Sequence, residues 1–277
     1  DNQSRKVLDE LLRVLDKKEI KAWVYENTAS LLDNYQGKTF NSEDLEQNKK
    51  LLNWVISIGG DGTLLDLVPI IKDSEIPVLG INTGRLGFLA SISIEQMESA
   101  IDELIIGSYH IDKRSVLQLE SDQIYFGKNQ FALNDFVVHK NDSSSMITIN
   151  TYLNGEFLNA YWADGLIVCT PTGSTGYSLS CGGPILFPQS LSFALTPIAP
   201  HNLNVRPIVI SDENVISFEV EGRSSSFLIS LDSRSISVGY GAQLAIRKAD
   251  FSMNLIELES GNYLETLRRK LMWGMDN

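Results

Sequence analysis

The sequence has few cysteines, no long apolar run and no excess of basic residues. Two cysteines, Cys169 and Cys181, are too few for a secreted disulfide framework in 277 residues. Reduced thiols and a cytoplasmic location are therefore expected, although their spacing does not exclude a disulfide. No apolar run reaches the ~18–20 residues of a membrane span, and no signal-peptide pattern is visible. The formal net charge of −12 argues against nucleic acid held on a basic face, so we expect neither a membrane nor a nucleic-acid partner.

The sequence contains enough apolar residues to form hydrophobic cores. Hydrophobic residues make up 43% of the chain, which allows one large domain or two ordinary ones. The acidity does not exclude nucleotides, because backbone amides, helix N-termini and Mg²⁺ supply positive potential locally. The three histidines are scattered, and none has the spacing of a metal site or of a nucleophile's partner.

Residues 1–108 have the pattern of an α/β domain with a Rossmann-like parallel sheet. Helices and strands alternate, and each of the last two strands ends in a glycine-rich turn. The predicted elements are a helix over 4–18, strands over 21–25, 53–58 and 77–81, and a helix from about 94 to 106. An α/β domain usually opens with a strand, so either one precedes these residues or the sheet is built without it.

Residues 109–262 have a different pattern, typical of a predominantly β domain. Apolar and polar residues alternate in many short runs, and Asn154-Gly155 is a strong signal for a two-residue hairpin turn. A final amphipathic stretch, about 263–274, predicts a helix that could pack on the first domain.

The first chemical motif is Gly59-Gly60-Asp61-Gly62-Thr63, between an apolar strand and an apolar helix. Glycines allow a backbone to approach a polyphosphate, and the helix N-terminus adds positive potential. A carboxylate is unfavourable beside phosphate unless it handles a hydroxyl proton or a metal. The alternative is a tight turn in which Asp61 is a helix N-cap.

The second motif begins at Asp164 and continues through a dense run of hydroxyls and glycines. Hydroxyls and exposed amides suit ribose and pyrophosphate, and an aromatic ring can contact a base or a sugar. The alternative is a polar surface loop. The residues concerned are Thr172, Thr175, Gly176, Tyr177, Ser178, Leu179 and Ser180.

Smaller signals lie between these motifs. Asn134 can pair with a purine edge, and Asp135 can accept from ribose hydroxyls; alternatively, both are polar residues on an exposed strand face. In the GRLGFL run, Arg85 is a candidate phosphate clamp or an ordinary loop arginine. Phe88 is a candidate for the adenine pocket or for the core.

In this order the motifs resemble those of the NAD kinases. GGDGT alone indicates only the superfamily that also contains lipid kinases and phosphofructokinases, whereas the run from Asp164 to Ser180 indicates NAD kinases. The resemblance covers about residue 53 to the C-terminus. Trp162 stands where members carry different residues linked to NAD or NADH preference, so acceptance of NADH stays open.

The resemblance implies roles for individual residues. Asp61 would be the catalytic base facing the 2′-hydroxyl, and Asn134 and Asp135 would contact adenine and its ribose. Asp164 would reach the nicotinamide end, often across a subunit interface. Two further dinucleotide contacts are implied at Ala199 and, more weakly, at Arg234, where members commonly carry a different polar residue.

The resemblance also implies a reaction and an assembly. The γ-phosphate of Mg²⁺–ATP would pass to the adenosine 2′-hydroxyl of NAD, giving NADP and ADP, in a homo-oligomer that is commonly a tetramer. Two alternatives remain from the residues alone. One is a lipid kinase of the same superfamily, and the other is an NAD-binding sensor without chemistry.

Overall fold

The computed structural model describes residues 2–30, 32, 35–84, 86–141, 145–259 and 261–274, so Arg85 lies outside the described residues. The chain divides into two compact units, Asp1–Asp112 with Asn254–Asn277, and Lys113–Met253. The expectation from the sequence was a division near residues 108 and 262. The described helices and strands are, in chain order, α1 (Asn2–Lys17), β1 (Trp23–Tyr25), α2 (Glu26–Ala29), β2 (Lys38–Phe40), α3 (Ser42–Asn48), β3 (Val55–Gly59), α4 (Asp61–Leu65), α5 (Val68–Ile71), β4 (Val78–Asn82), α6 (Met97–Ile106), β5 (Tyr109–Ser121), β6 (Phe131–Ala132), β7 (Asp135–Lys140), β8 (Ile147–Leu153), β9 (Glu156–Ala163), β10 (Gly165–Cys169), α7 (Tyr177–Ser180), β11 (Ser192–Ile198), β12 (Ile208–Ser211), β13 (Ile216–Glu221), β14 (Ser226–Leu231), β15 (Arg234–Gly239), β16 (Leu244–Leu258) and α8 (Tyr263–Leu271).

The first unit is an α/β layer structure. Strands β3 and β4 are parallel, and the end of β16 lies parallel to β4, with Leu255 opposite Val78. Helix α1 forms because apolar residues recur at helical spacing, and it buries Val7, Leu11 and Leu15 in the same core as α6 and the end of β16. Parallel strands place their carboxyl ends at one edge, so the turns that follow β3 and β4 lie side by side.

The helix predicted after the GGDGT turn is interrupted. Helix α4 ends at Leu65, and α5 begins only at Val68. Pro69 stands in the first turn of α5, where its missing N–H is tolerated, whereas it would break a continuous helix.

The second unit is built almost entirely from antiparallel strands. One sheet has the order β12-β11-β10-β7-β14-β15, and a second set of strands has the order β16-β13-β8-β9, with β5 pairing to β6 and β16. Asn154 and Gly155 form the predicted hairpin turn between β8 and β9, both with positive φ. The fold class predicted from the sequence, an α/β domain followed by a predominantly β domain, is confirmed.

Strand β10 is central to the six-stranded sheet and is buried along its whole length. Leu166 and Val168 contribute to the large core of this unit, whereas Ile167 and Cys169 pack in a smaller core on the opposite side. A strand covered on both faces needs a continuous apolar run, which GLIVC supplies. This strand leads directly into the hydroxyl-rich loop.

Candidate active site

The glycine-rich turn between β3 and α4 contains the first group of candidate residues. Gly59 ends β3, and a Cβ atom there would lie 2.2 Å from the Oγ1 atom of Thr63. At Gly60 and Gly62 a Cβ atom would meet no heavy atom within 4 Å. Gly60 is the N-cap of α4 and Asp61 its first residue, so the alternative that Asp61 caps the helix is wrong. The turn leaves room for a ligand against its glycines.

The Asp61 carboxylate is held by three backbone N–H groups. The Phe88 N–H donates to Oδ2 at 2.8 Å, and the Leu89 and Ala90 N–H groups donate to Oδ1 at 3.0 Å each. A Cβ atom at Gly87 would lie 1.9 Å from Oδ1, so the loop closes over the carboxylate only because residue 87 is glycine. An ionised carboxylate has about four acceptor positions. One position, on Oδ2, therefore remains for a hydroxyl group.

Asn82 fixes the loop that surrounds Asp61, and sequence reasoning did not single it out. Its buried side chain accepts from the Gly84 N–H at 2.6 Å and donates to the Ala90 carbonyl at 3.3 Å. The nearby Phe88 ring is half-buried, and the Nζ atom of Lys270 lies 5.6 Å from its centroid. The role predicted for Phe88 at adenine stays a prediction.

The Asn134-Asp135 motif lies at the start of β7 and is held by a residue that the sequence did not reveal. Asp232, in the turn between β14 and β15, accepts from the backbone N–H groups of Leu133, Asn134 and Asp135 at 2.9, 2.8 and 3.2 Å. The Asp232 N–H in turn donates to the Asp135 carbonyl at 3.0 Å. The backbone of the motif is thus fixed by a second aspartate.

The other side of the motif contacts the start of the hydroxyl-rich loop. The Thr170 N–H donates to the Asn134 carbonyl at 2.9 Å, and its Oγ1 donates to the Leu133 carbonyl at 2.5 Å. At Gly173 a Cβ atom would lie 2.1 Å from the Asn134 carbonyl oxygen, so the close approach requires glycine. The Asn134 Oδ1 atom is buried and has no hydrogen-bond partner within the described part of the chain. It is the kind of acceptor that a ligand amino group would fill.

Asp135 has an unusual titration. Burial, and then the charge of Asp232, raise the pKa of Asp135 from 3.8 to about 7. Burial also raises the pKa of Asp232, but its three backbone N–H donors oppose that shift. Because those donors favour ionised Asp232, the proton near neutral pH belongs on Asp135. Because the folded-state pKa of Asp135 is raised, its protonated form stabilises the folded protein. This contribution to the free energy of unfolding is complete below about pH 4 and is lost as the pH rises to about 7.

Buried hydroxyls of the loop between β10 and β11 bond to the protein. Ser174 Oγ donates to the Pro171 carbonyl at 2.6 Å and accepts from the Leu186 N–H at 2.9 Å. The buried Ser178 Oγ lies 2.8 Å from the Thr196 Oγ1. These hydroxyls hold the loop in shape, and the predicted contact of Ser178 with the dinucleotide stays a prediction.

The remaining predicted residues of the loop differ in exposure. Thr175 Oγ1 donates to the Thr172 carbonyl at 3.2 Å, and Thr172 Oγ1 accepts from the buried Arg114 at 3.2 Å. Arg114, in the alternating strand β5, was not singled out from the sequence. Tyr177 is 43% exposed, which leaves its ring available to a ligand. Of the others, Ser180 is exposed, and Gly176 and Leu179 are half-buried.

Asp164 and Ala199 lie together at the opposite end of β10. Asp164 Oδ1 pairs with the Nζ atom of Lys140 at 2.6 Å, and its N–H donates to the Ile198 carbonyl at 3.0 Å. Ala199 has φ +44°, a strained backbone for a residue with a Cβ atom. Strain of this kind is concentrated at functional sites.

The structure therefore separates the predicted dinucleotide contacts into two groups. Cys169, at the end of β10, pairs with Asp135, and Thr170 follows it. Asp164 precedes the first residue of β10, six residues before Thr170. At ~3.3 Å per residue, the two groups lie about 20 Å apart.

Arg234 makes contacts within the protein. Its guanidinium donates to the carbonyl oxygens of Asn129, at 2.5 Å, and Phe131. The same group lies 5.8 Å from the centroid of the Phe126 ring. The predicted dinucleotide contact at Arg234 stays a prediction, and the contacts observed support the segment before Asn134.

Neither a disulfide nor a cluster of metal-binding side chains occurs among the residues that the structure describes. Cys169 and Cys181 are free, and burial raises the pKa of the Cys169 thiol to about 11. Within the described ranges, no three His, Cys, Asp or Glu side chains are placed to hold a metal ion. Nor is any helix of those ranges long and apolar enough to cross a membrane.

Comparison with known proteins assigns the chain to a family. Residues 3–109 match the ATP-NAD kinase N-terminal domain, and residues 133–258 match the ATP-NAD kinase C-terminal domain. Together with the two units described above, these matches define a two-domain chain of the kinase type. The chain belongs to the ATP-NAD kinase family.

Individual relatives cover most of the chain. An NAD kinase of Cytophaga hutchinsonii is 52% identical over 273 residues, which cover 96% of this chain and 92% of the relative. An NAD kinase of Flavobacterium psychrophilum is 45% identical and covers 99% of this chain and 95% of its own. A crystal structure of an Archaeoglobus fulgidus NAD kinase in complex with ATP has a TM-score of 0.76 at 26% identity, covering 96% and 94% of the two chains. A yeast NADH kinase complexed with NADH shares the fold, with a TM-score of 0.88 at 23% identity. The match covers 100% of this chain and 86% of the yeast chain.

Proposed function

We propose that this protein is an NAD kinase, which transfers the γ-phosphate of ATP to the 2′-hydroxyl of the adenosine ribose of NAD. The observation that carries the proposal is the Asp61 carboxylate, fixed by three backbone N–H groups with one acceptor position left. An acceptor placed in this way suits a hydroxyl proton that is released as the bond to phosphorus forms. The shared identity of the relatives named NAD kinase supports the same reaction.

The phosphate donor would be Mg²⁺–ATP, held against the turn of Gly59–Thr63. Phosphoryl transfer proceeds through a loose transition state, so the protein mainly positions reactants and neutralises charge. Mg²⁺ is usually held by one or two carboxylates, water and substrate phosphates. In this proposal the ATP phosphates carry the ion to the turn.

The dinucleotide would bind to the second unit. The unpartnered Asn134 Oδ1 would accept from the adenine amino group, and Asp135 would contact the ribose. Tyr177 would offer its exposed ring to the same ligand. The hydrogen bonds that hold the motif and the loop from Thr170 to Ser180 would preorganise these contacts, which lowers the entropic cost of binding.

Incubation with NAD and Mg²⁺–ATP, followed by detection of NADP, tests the proposal. Formation of NADP supports it, and NAD binding without NADP formation from any phosphate donor would show a sensor instead. Phosphorylation of a diacylglycerol, with NAD left unchanged, would show the lipid kinase. The same assay with polyphosphate and with NADH determines the donor and acceptor range. A cytoplasmic location fits the two free thiols and is tested by fractionation.

The proposed enzyme would be a homo-oligomer, with Asp164 acting on NAD bound to a partner copy. This proposal rests on the family resemblance, and Asp164 lies at the opposite end of β10 from Thr170, about 20 Å away within one chain. We expect Asp61→Asn and Asp164→Asn each to have low activity alone, and mixing them to restore part of it, since some mixed sites then carry both aspartates. Reassembly of each variant alone is the control. A mixture that stays as inactive as its components would contradict sharing of sites between subunits.

A further inference from the structure

Asp232 has no predicted contact with substrate, yet it is bonded to both backbone N–H groups of the Asn134-Asp135 motif. Three N–H groups, those of Leu133, Asn134 and Asp135, donate to its two carboxylate oxygens. Its own N–H donates to the Asp135 carbonyl. Four hydrogen bonds thus join two segments that lie almost 100 residues apart in the sequence.

Asp232 lies in the tight turn between β14 and β15, where the backbone conformation restricts the type of residue. Leu231 pairs with Arg234, which leaves Asp232 and Ser233 as the two turn residues between β14 and β15. Asp232 has φ +52°, a backbone region in which hairpin turns favour glycine, asparagine and aspartate. Glycine would relieve this strain but would leave three backbone N–H groups without their acceptor. Among the residues that suit this turn, only aspartate offers two acceptor oxygens to the three N–H groups.

The Asn134-Asp135 motif is fixed from both sides. Asp232 accepts hydrogen bonds from its N–H groups, and the Thr170 N–H donates to the Asn134 carbonyl. Gly173 packs closely against the same carbonyl oxygen. Only the side chains of the motif remain for a ligand, and the Asn134 Oδ1 atom is buried without a described partner. Small shifts of this backbone would therefore move the amide that faces the ligand.

We propose that Asp232 is a positioning residue that holds Asn134 and Asp135 in the conformation that binds the adenosine half of NAD. This role rests on the proposed function. Because three N–H groups of the protein occupy its carboxylate, Asp232 would act on NAD only through the motif. Its loss would therefore raise the KM for NAD and leave the KM for ATP and kcat largely unchanged.

The test is Asp232→Asn, alone and combined with Asn134→Ala. An asparagine has one oxygen for three N–H donors, so at least one donor loses its partner. The KM for NAD should rise at least about tenfold in Asp232→Asn, and by a clearly smaller factor when Asn134 is already alanine, because only the effect through Asp135 then remains. Such non-additivity is not expected from general destabilisation. Glu75→Gln is the control, because Glu75 is an exposed carboxylate at φ +59°.

Asp232→Gly is the second variant, since it relieves the strained turn while removing the carboxylate. It should fold and show the same rise in the KM for NAD. The proposal is overturned if the KM for NAD stays within about twofold of wild type, or if the two substitutions act independently. Failure of both variants to fold would also overturn it, by making Asp232 necessary for the fold itself. A wild-type protein that forms no NADP refutes the proposed function instead, which keeps the two outcomes distinct.

Discussion

Asp61→Asn is the substitution that tests the proposed reaction most directly. It keeps the size of the side chain but replaces one carboxylate oxygen with an NH₂ group. The two oxygens of Asp61 are not equivalent, because Oδ1 accepts two N–H groups and Oδ2 accepts one. The less costly orientation of the amide keeps its oxygen at the Oδ1 position and places nitrogen at the Oδ2 position. That orientation removes the one acceptor position left for a hydroxyl.

The substitution should lower both the free energy of unfolding and kcat. The Phe88 N–H, 2.8 Å from Oδ2, would face a donor and lose its acceptor. Leaving such a group unsatisfied costs about 1–3 kcal/mol, so the free energy of unfolding should fall by that amount. Loss of the general base should reduce kcat about 10²–10⁴-fold. NAD binding should persist, because the proposed adenosine contacts at Asn134 and Asp135 are unchanged.

The measurements are NADP formation, calorimetric binding of NAD and thermal unfolding of the same preparations. Asp66→Asn is the matched control, because Asp66 is an exposed aspartate immediately after α4. Near-normal turnover of Asp61→Asn would remove Asp61 from the mechanism. An unchanged midpoint of unfolding would show that the backbone N–H groups do not hold the carboxylate as described.

Two further predictions concern the glycine turn and the titration of Asp135. Gly60→Ala should fold normally, since its Cβ atom meets no heavy atom within 4 Å, but it should raise the KM for ATP several-fold. Gly239→Ala is the control, because a Cβ atom there also lies in open space. An equal KM for ATP in both variants would exclude phosphate from the turn. Asp135→Asn should unfold at higher temperature than wild type, with a difference that grows from pH 4 to about pH 7, because only the wild type must ionise a buried carboxyl of raised pKa. The gain is at most about 4 kcal/mol, and a difference independent of pH would refute the titration.

Local patterns predicted much of the fold. The apolar spacing of α1, the paired glycine-rich turns after β3 and β4, and the Asn154-Gly155 hairpin are all encoded within a few residues. The division of the helix after the GGDGT turn into α4 and α5 could not be predicted from apolar spacing alone, because it depends on one proline, Pro69. Element type followed from periodicity, and the interruption followed from backbone chemistry.

The supporting residues of the site were largely invisible in the sequence. Asp232 acts on Asn134 and Asp135 across almost 100 residues, and Arg114 acts on Thr172 across 58. Hydrogen bonds between distant segments leave no periodic signal. The composition of the loop suggests many hydroxyls available to a ligand, but those of Ser174 and Ser178 form hydrogen bonds within the protein.

The passage of β16 from one unit into the other has a consequence for biosynthesis. The unit formed by Lys113–Met253 is continuous in sequence, whereas the unit with the GGDGT turn needs Ile256 and Leu258 for its core. During translation, Lys113–Met253 can be completed before these residues leave the ribosome. The portion synthesised first would be the last to finish folding, and the nascent α/β portion would expose apolar surface in the meantime.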